Sequence, residues 1–140
     1  MNLLLIEDHK PLTRALRQAL EEEGHMVQVV ADADQVSRTL CVADVNTEYD
    51  VIILDLVRRH GDGRALLARW RRAGLKTPVL ALIAPVAYGQ NPDLLHAAAN
   101  DYLTLPFEID ELLARLLRAF AHAGRPKAVA NMYSHGIENL

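Results

Sequence analysis

Apolar and polar positions alternate along the chain in two periods. Residues 2–6, NLLLI, form an unbroken apolar run, as expected of a strand buried on both faces. Leu12, Ala15, Leu16, Ala19 and Leu20 follow at helical spacing, and Gly24 stands where a helix would end. MVQVV (26–30) predicts a second strand, and residues 34–45 a weaker helix opened by Asp34 or its neighbours. DVIILD (50–55) is the strongest strand signal, after which GDG (61–63) turns into a helix through RALLARWRRAG. TPVLALIA (77–84) predicts the fourth strand, NPDLLHAAAN a short helix with Pro92 near its first turn, and DYLTL (101–105) the fifth strand. A final helix carries Ile109, Leu112, Leu113, Leu116, Leu117 and Phe120 on one face.

Five strands alternating with helices predict an α/β fold with a parallel sheet covered on both sides. Right-handed crossovers leave few topologies, and five units of this size favour the doubly wound order 2-1-3-4-5. Sites in such sheets form at the carboxyl ends of the strands, near the switch point between strands 1 and 3. Residues 6–9, 55–60, 83–88 and 104–107 are therefore where chemistry is expected. Helical periodicity is lost after Ala123, and the tail AGRPKAVANMYSHGIENL reads as a linker.

Charge changes this picture little. A formal net charge of −3 gives no global reason to expect nucleic-acid binding. Arg58, Arg59, Arg64, Arg69, Arg71, Arg72 and Lys76 hold seven of the fifteen basic residues, but on the helix they lie opposite Leu66, Leu67 and Trp70, which reads as a solvated face. Cys41 is alone, excluding a disulfide framework and a cysteine metal site. The start, MNLLLIEDHK, is too short an apolar run for a signal peptide or a membrane span, so a cytoplasmic protein with no membrane partner is expected. The histidines show no metal spacing, although His9 and His60 border the predicted pocket.

Glu7 and Asp8 leave the first strand and Asp55 ends the third, so the predicted order brings three carboxylates to one edge. Like charges so close require a cation, a base or a proton. Oxygen ligands of this kind suit Mg2+, which retains waters and takes one or two carboxylates. Singly, such acids are ordinary solvated residues before a helix.

LLIEDHKPLTRALRQALEEEGHMV, YDVIILDLVRRHGDG, TPVLALIA and ANDYLTLPFEIDELLARLLRAF together resemble the receiver domain of two-component response regulators, over residues 1 to about 122. The resemblance implies a flavodoxin-like (βα)5 fold. It also implies that Glu7 and Asp8 hold Mg2+, that Asp55 accepts phosphate from a histidine kinase, and that Val57 gives its carbonyl to the metal. Receivers also place a Thr or Ser at the end of strand 4 and a Lys before the proline after strand 5. Here those positions hold Ile83 and Leu105. Isoleucine offers neither donor nor acceptor, and leucine removes a point charge that would contact Asp55 and its phosphate. Arg58, Arg59 and His60 follow Asp55 and are candidates to replace that charge, or to fold over the acids and exclude Mg2+. Tyr102 matches the switch aromatic of receivers and, with Ile83 in the space beside it, is expected to keep one rotamer.

FEIDELLARLLRAF resembles receivers that precede a winged-helix DNA-binding domain, in which strand 5 and the last helix pair two protomers. Asp101, Glu111, Arg115 and Arg118 match the charged positions of that dimer face, with Leu94 or Leu113 at its centre. Glu111 with Arg115 also fits ordinary i,i+4 pairing on a helix surface. SHGIENL resembles the first strand of such an effector domain, so residues 123–140 are expected to be a linker and the start of a domain absent from this chain, through which any DNA contact would run. The expected function is an atypical receiver acting as a signalling and dimerisation module of a transcription regulator, independent of phosphorylation and not an enzyme. The alternatives are a conventional Mg2+-dependent phosphoreceiver phosphorylated on Asp55 by a histidine kinase, or a small flavodoxin-type enzyme or nucleotide-binding domain. The latter is disfavoured because no Gly-rich phosphate loop follows strand 1.

Overall fold

The computed structural model describes residues 1–32, 36, 41–57, 63–84 and 99–122. It contains β1 (Asn2–Ile6), α1 (Lys10–Glu22), β2 (Met26–Val30), α2 (Val42–Glu48), β3 (Val51–Asp55), α3 (Gly63–Arg72), β4 (Val79–Ile83), β5 (Asp101–Thr104) and α4 (Ile109–His122). All strand pairings are parallel and the order is β2-β1-β3-β4-β5, as the alternation of strands and helices predicts.

The apolar runs of β1, β3 and β4 are continuous because both faces of the sheet are covered. Leu4, Ile6, Ile52, Leu54, Ala81 and Ile83 pack with Val45 of α2 and with Leu66, Leu67 and Trp70 of α3. Leu3, Leu5, Val51, Ile53, Leu80 and Leu82 pack on the opposite side with Leu16 and Leu20 of α1 and with Leu112, Leu116 and Ala119 of α4. Alternation thus sends odd positions of β1 and β3 towards α1 and α4, and even ones towards α2 and α3.

Helix α1 starts after His9 with a proline in its first turn and stops before Gly24, whose φ of +89° is open to glycine without a Cβ penalty. Val36 is helical, and residues 33–35 and 37–40 lie outside the described residues; helix α2 runs from Val42 to Glu48, sharing residues 42–45 with the predicted span 34–45 and extending three residues past it. Its position is fixed by Asn46, whose Oδ1 accepts from the Lys76 and Thr77 amides and from Thr77 Oγ1, while its Nδ2 donates to the Gly74 carbonyl. A long-range side-chain strap of this kind leaves no periodic trace in the sequence. The predicted helix over NPDLLHAAAN lies outside the described residues, except for its end, as does the tail 123–140.

Candidate functional site

Glu7 continues the β1–β2 ladder by donating its N–H to the Val30 carbonyl at 3.0 Å. It is buried, and its Oε1 accepts from the His9 amide at 3.1 Å, which bends the chain into α1. Thr13 Oγ1, in the first turn of α1, donates to the Glu7 carbonyl at 3.3 Å. Asp8 is exposed beside it. Asp55, also buried, ends β3 opposite Leu82 of β4, and its Oδ1 accepts from the Val57 amide at 2.7 Å. One carboxylate oxygen from each of Glu7, Asp8 and Asp55 lies within 4.8 Å of the others. The three acids therefore converge at the carboxyl edge, as the strand order predicts. Two buried carboxylates and one exposed one form an all-oxygen donor set that fits a hard divalent cation reached from solvent.

Ile83 ends β4 and is fully buried, facing the side of the sheet occupied by α2 and α3. Tyr102, on edge strand β5, is half-buried against the same apolar cluster. Leu105 carries the ladder one residue beyond β5, donating its N–H to the Ile83 carbonyl at 3.0 Å, and is followed by a cis bond to Pro106. By alternation Leu105 shares the Leu103 side of the sheet, the same side as Asp55 and Glu7, whereas Ile83 and Tyr102 share the other. Both apolar residues thus stand at the rim that holds the acids, one on each side of the sheet. Arg58, Arg59 and His60 lie outside the described residues.

The charges expected on a dimer face are arranged differently. Asp101 is only 1% exposed, and its partners belong to its own chain. Arg118 grips it with two hydrogen bonds, Nε to Oδ2 at 2.6 Å and Nη2 to Oδ1 at 2.8 Å. Arg115 Nη1 reaches Oδ1 at 3.2 Å, with its guanidinium 6.0 Å from the Tyr102 ring centroid, and the Tyr102 amide donates to Oδ1 at 2.8 Å. Burial pushes the Asp101 carboxyl up, but the Arg118 and Tyr102 hydrogen bonds and both guanidinium charges outweigh it and hold the carboxyl below its ordinary value. In the single chain, therefore, Arg115 and Arg118 satisfy a buried acid instead of standing free for a partner. Glu111 is exposed, and among the described residues it has no ion-pair partner. Leu113 is half-buried, and Leu94 lies outside the described residues.

Sequence reasoning missed a polar seam at the opposite edge of the sheet. Arg71, expected on a solvated face, turns inward and donates to the carbonyls of Leu75 and Thr77 and to Asn100 Oδ1, at 3.0, 2.7 and 2.8 Å. The same Asn100 oxygen accepts from the Val79 amide. The one available signal was an asparagine placed directly before a strand, where a side chain can cap a neighbouring strand's open amide.

Comparison with known proteins agrees with the geometry. The profile of the response regulator receiver domain matches residues 3–117. The chain is 41% identical over 124 residues to the transcriptional regulatory protein TcrA of Mycobacterium tuberculosis, covering 89% of this chain and 47% of that protein. It spans about half the length of the curated relatives it matches. Among solved structures it is similar to the receiver domain of a Francisella response regulator, with 31% identity, a TM-score of 0.69, and coverage of 85% of this chain and 95% of that one. It is also similar to the receiver domain of a sensor histidine kinase from Pseudomonas aeruginosa, solved with a magnesium ion in the active-site cleft, with 30% identity, a TM-score of 0.68, and coverage of 85% and 96%. Fold, acidic edge and sequence matches agree: the chain belongs to the response regulator receiver domain family.

Proposed function

We propose that this receiver is the signalling module of a transcription regulator and that it acts by pairing two copies, without depending on phosphorylation of Asp55. The observation that carries the reading is the apolar pair Ile83 and Leu105 at the rim of the acidic edge. A phosphoryl group on Asp55 would add a dianion beside Glu7 and Asp8. The positions from which a hydroxyl and an ammonium would meet it carry only hydrocarbon. A ligand shifts a conformational equilibrium only through differential contacts with the two states, and here those contacts are reduced. Glu7, Asp8, Asp55 and the Val57 carbonyl would hold Mg2+, and the ion when bound would offset the charge of the acids. The similarity to TcrA supports a transcriptional output, with DNA contacted by a separate domain. Among the described residues no helix is long and apolar enough to cross a membrane.

The conventional reading, phosphorylation of Asp55 by a histidine kinase, has its own support in the intact set of three acids. Incubation with acetyl phosphate and Mg2+, followed by intact-mass measurement, separates the two. The proposed reading expects little adduct, or an adduct that leaves the oligomeric state unchanged. Stoichiometric, Mg2+-dependent modification that vanishes in Asp55→Asn and shifts the oligomeric state would overturn it.

A further inference from the structure

On the side of the sheet away from α1 and α4, a cavity of about 220 Å3 lies between α2 and α3. Ile52 of β3, Leu75, Val36, Val42, Val45 and Trp70 line it. All of these except the half-buried Val42 are buried. Arg69 and Ala73, both exposed, stand at its rim. The cavity opens to solvent past Arg69 and Ala73, and its lining among the described residues is mainly apolar. Its described walls offer water few hydrogen-bond partners, and an apolar void of roughly 150 Å3 in another protein takes up benzene. It is also smaller than the roughly 300–1,000 Å3 typical of drug-sized ligands, which limits the guest to about one ring.

Two features define that guest further. Trp70 offers an aromatic wall, against which a second ring gains beyond simple burial. Among the described residues Arg69 is the one cationic residue lining the cavity, and it makes no ion pair with a described residue, unlike Arg71, which is committed to Leu75, Thr77 and Asn100. A guanidinium at the mouth of an apolar cavity selects a planar anion that it can grip through two oxygens. We propose that the cavity between α2 and α3 is a binding site for a small monocyclic aromatic carboxylate, its ring against Trp70, Val42 and Val45 and its carboxylate on Arg69. The site goes beyond the receiver reading and does not depend on whether Asp55 accepts phosphate.

Trp70 is the only tryptophan in the chain, so its emission reports the cavity directly. Titration of the 140-residue protein with benzoate should give a saturable change in Trp70 fluorescence, with benzyl alcohol binding about tenfold more weakly because it lacks the charge. Arg69→Gln should bring benzoate down to the level of benzyl alcohol. Val45→Phe, which fills the cavity, should abolish the response, and Ala73→Leu, at an exposed rim position that leaves the core untouched, should weaken it. The proposal is overturned by the absence of saturation up to about 10 mM benzoate, a range that still detects binding of roughly 3 kcal/mol. Equal binding of the acid and the alcohol would overturn it too, as would a response indifferent to both cavity variants.

Discussion

At Asp101, burial and charge pull the carboxyl in opposite directions, and the two guanidinium groups win. Removing one partner of a buried ion pair costs about 3–5 kcal/mol when nothing else meets the remaining charge. Here Arg115 and the Tyr102 amide would remain, so Arg118→Ala should cost about 1–2 kcal/mol in urea unfolding. Because the folded-state pKa of Asp101 lies below its ordinary value of 3.8, the unfolded chain binds the proton more readily. The stabilisation is complete above that value and is lost as pH falls through the lower folded pKa. Asp101→Asn should therefore flatten the acid limb of the stability curve and leave its slope near neutral pH unchanged. At the rim, the double change Ile83→Thr with Leu105→Lys should raise the yield of Mg2+-dependent adduct from acetyl phosphate, read by intact mass. Ile83 is fully buried, so the threonine alone should destabilise by about 1–3 kcal/mol through its hydroxyl, whereas the lysine can reach the acids from the half-buried edge.

Elements differed in how much of themselves they showed in the sequence. Strands β1 and β2 fall on NLLLI and MVQVV because continuous or β-branched apolar runs are what a covered sheet demands. The acidic edge was equally legible, since Glu7 and Asp55 end adjacent strands and strand ends fix position. Helix α2 was legible only in part: the predicted span takes in its first four residues, but Val45 is its only buried residue and periodicity had little to register. What places it is Asn46, bonded to residues about thirty positions away. Asn46→Ala should cost about 1–3 kcal/mol and speed hydrogen exchange of the α2 amides more than those of β1 and β3. The pairing of Asp101 was legible as a set of residues but not in direction. Spacing along α4 shows that Arg115 and Arg118 share a face, but not whether the carboxylate they reach belongs to the same chain.

At the scale of the whole molecule, that internal pairing changes how the proposed dimer is best probed. Reversing Arg115 and Arg118 together would disturb Asp101 as well as any interface, confounding fold with assembly. Leu117 separates them: it lies on α4, is 60% exposed, and belongs to neither apolar cluster, with Ile109 also exposed on the same helix. In a pairing across β5 and α4 the apolar residues would form the centre, and rim charges, each worth on the order of 0–1 kcal/mol, would mainly set register. Light scattering on untreated protein at tens of micromolar should report a dimer, and Leu117→Glu should return it to a monomer that still unfolds cooperatively, with a melting temperature no longer dependent on protein concentration. A monomeric parent protein, or a dimer indifferent to Leu117→Glu, would remove the basis for the assembly reading.

The seam formed by Asn46, Arg71 and Asn100 also bears on time. Two of its bonds, Thr77 to Asn46 and Arg71 to Asn100, join residues 31 and 29 positions apart and need distant stretches of chain in place first, whereas Arg71 reaches the Leu75 and Thr77 carbonyls only four and six positions away. The long-range bonds are expected to complete after the main barrier to folding, and so to hold the native state in place without hastening its formation. In stopped-flow experiments Asn46→Ala and Arg71→Lys should steepen the escape from the native state and leave refolding nearly at its original pace. The edge of the sheet remote from the acids would then set the lifetime of the folded domain.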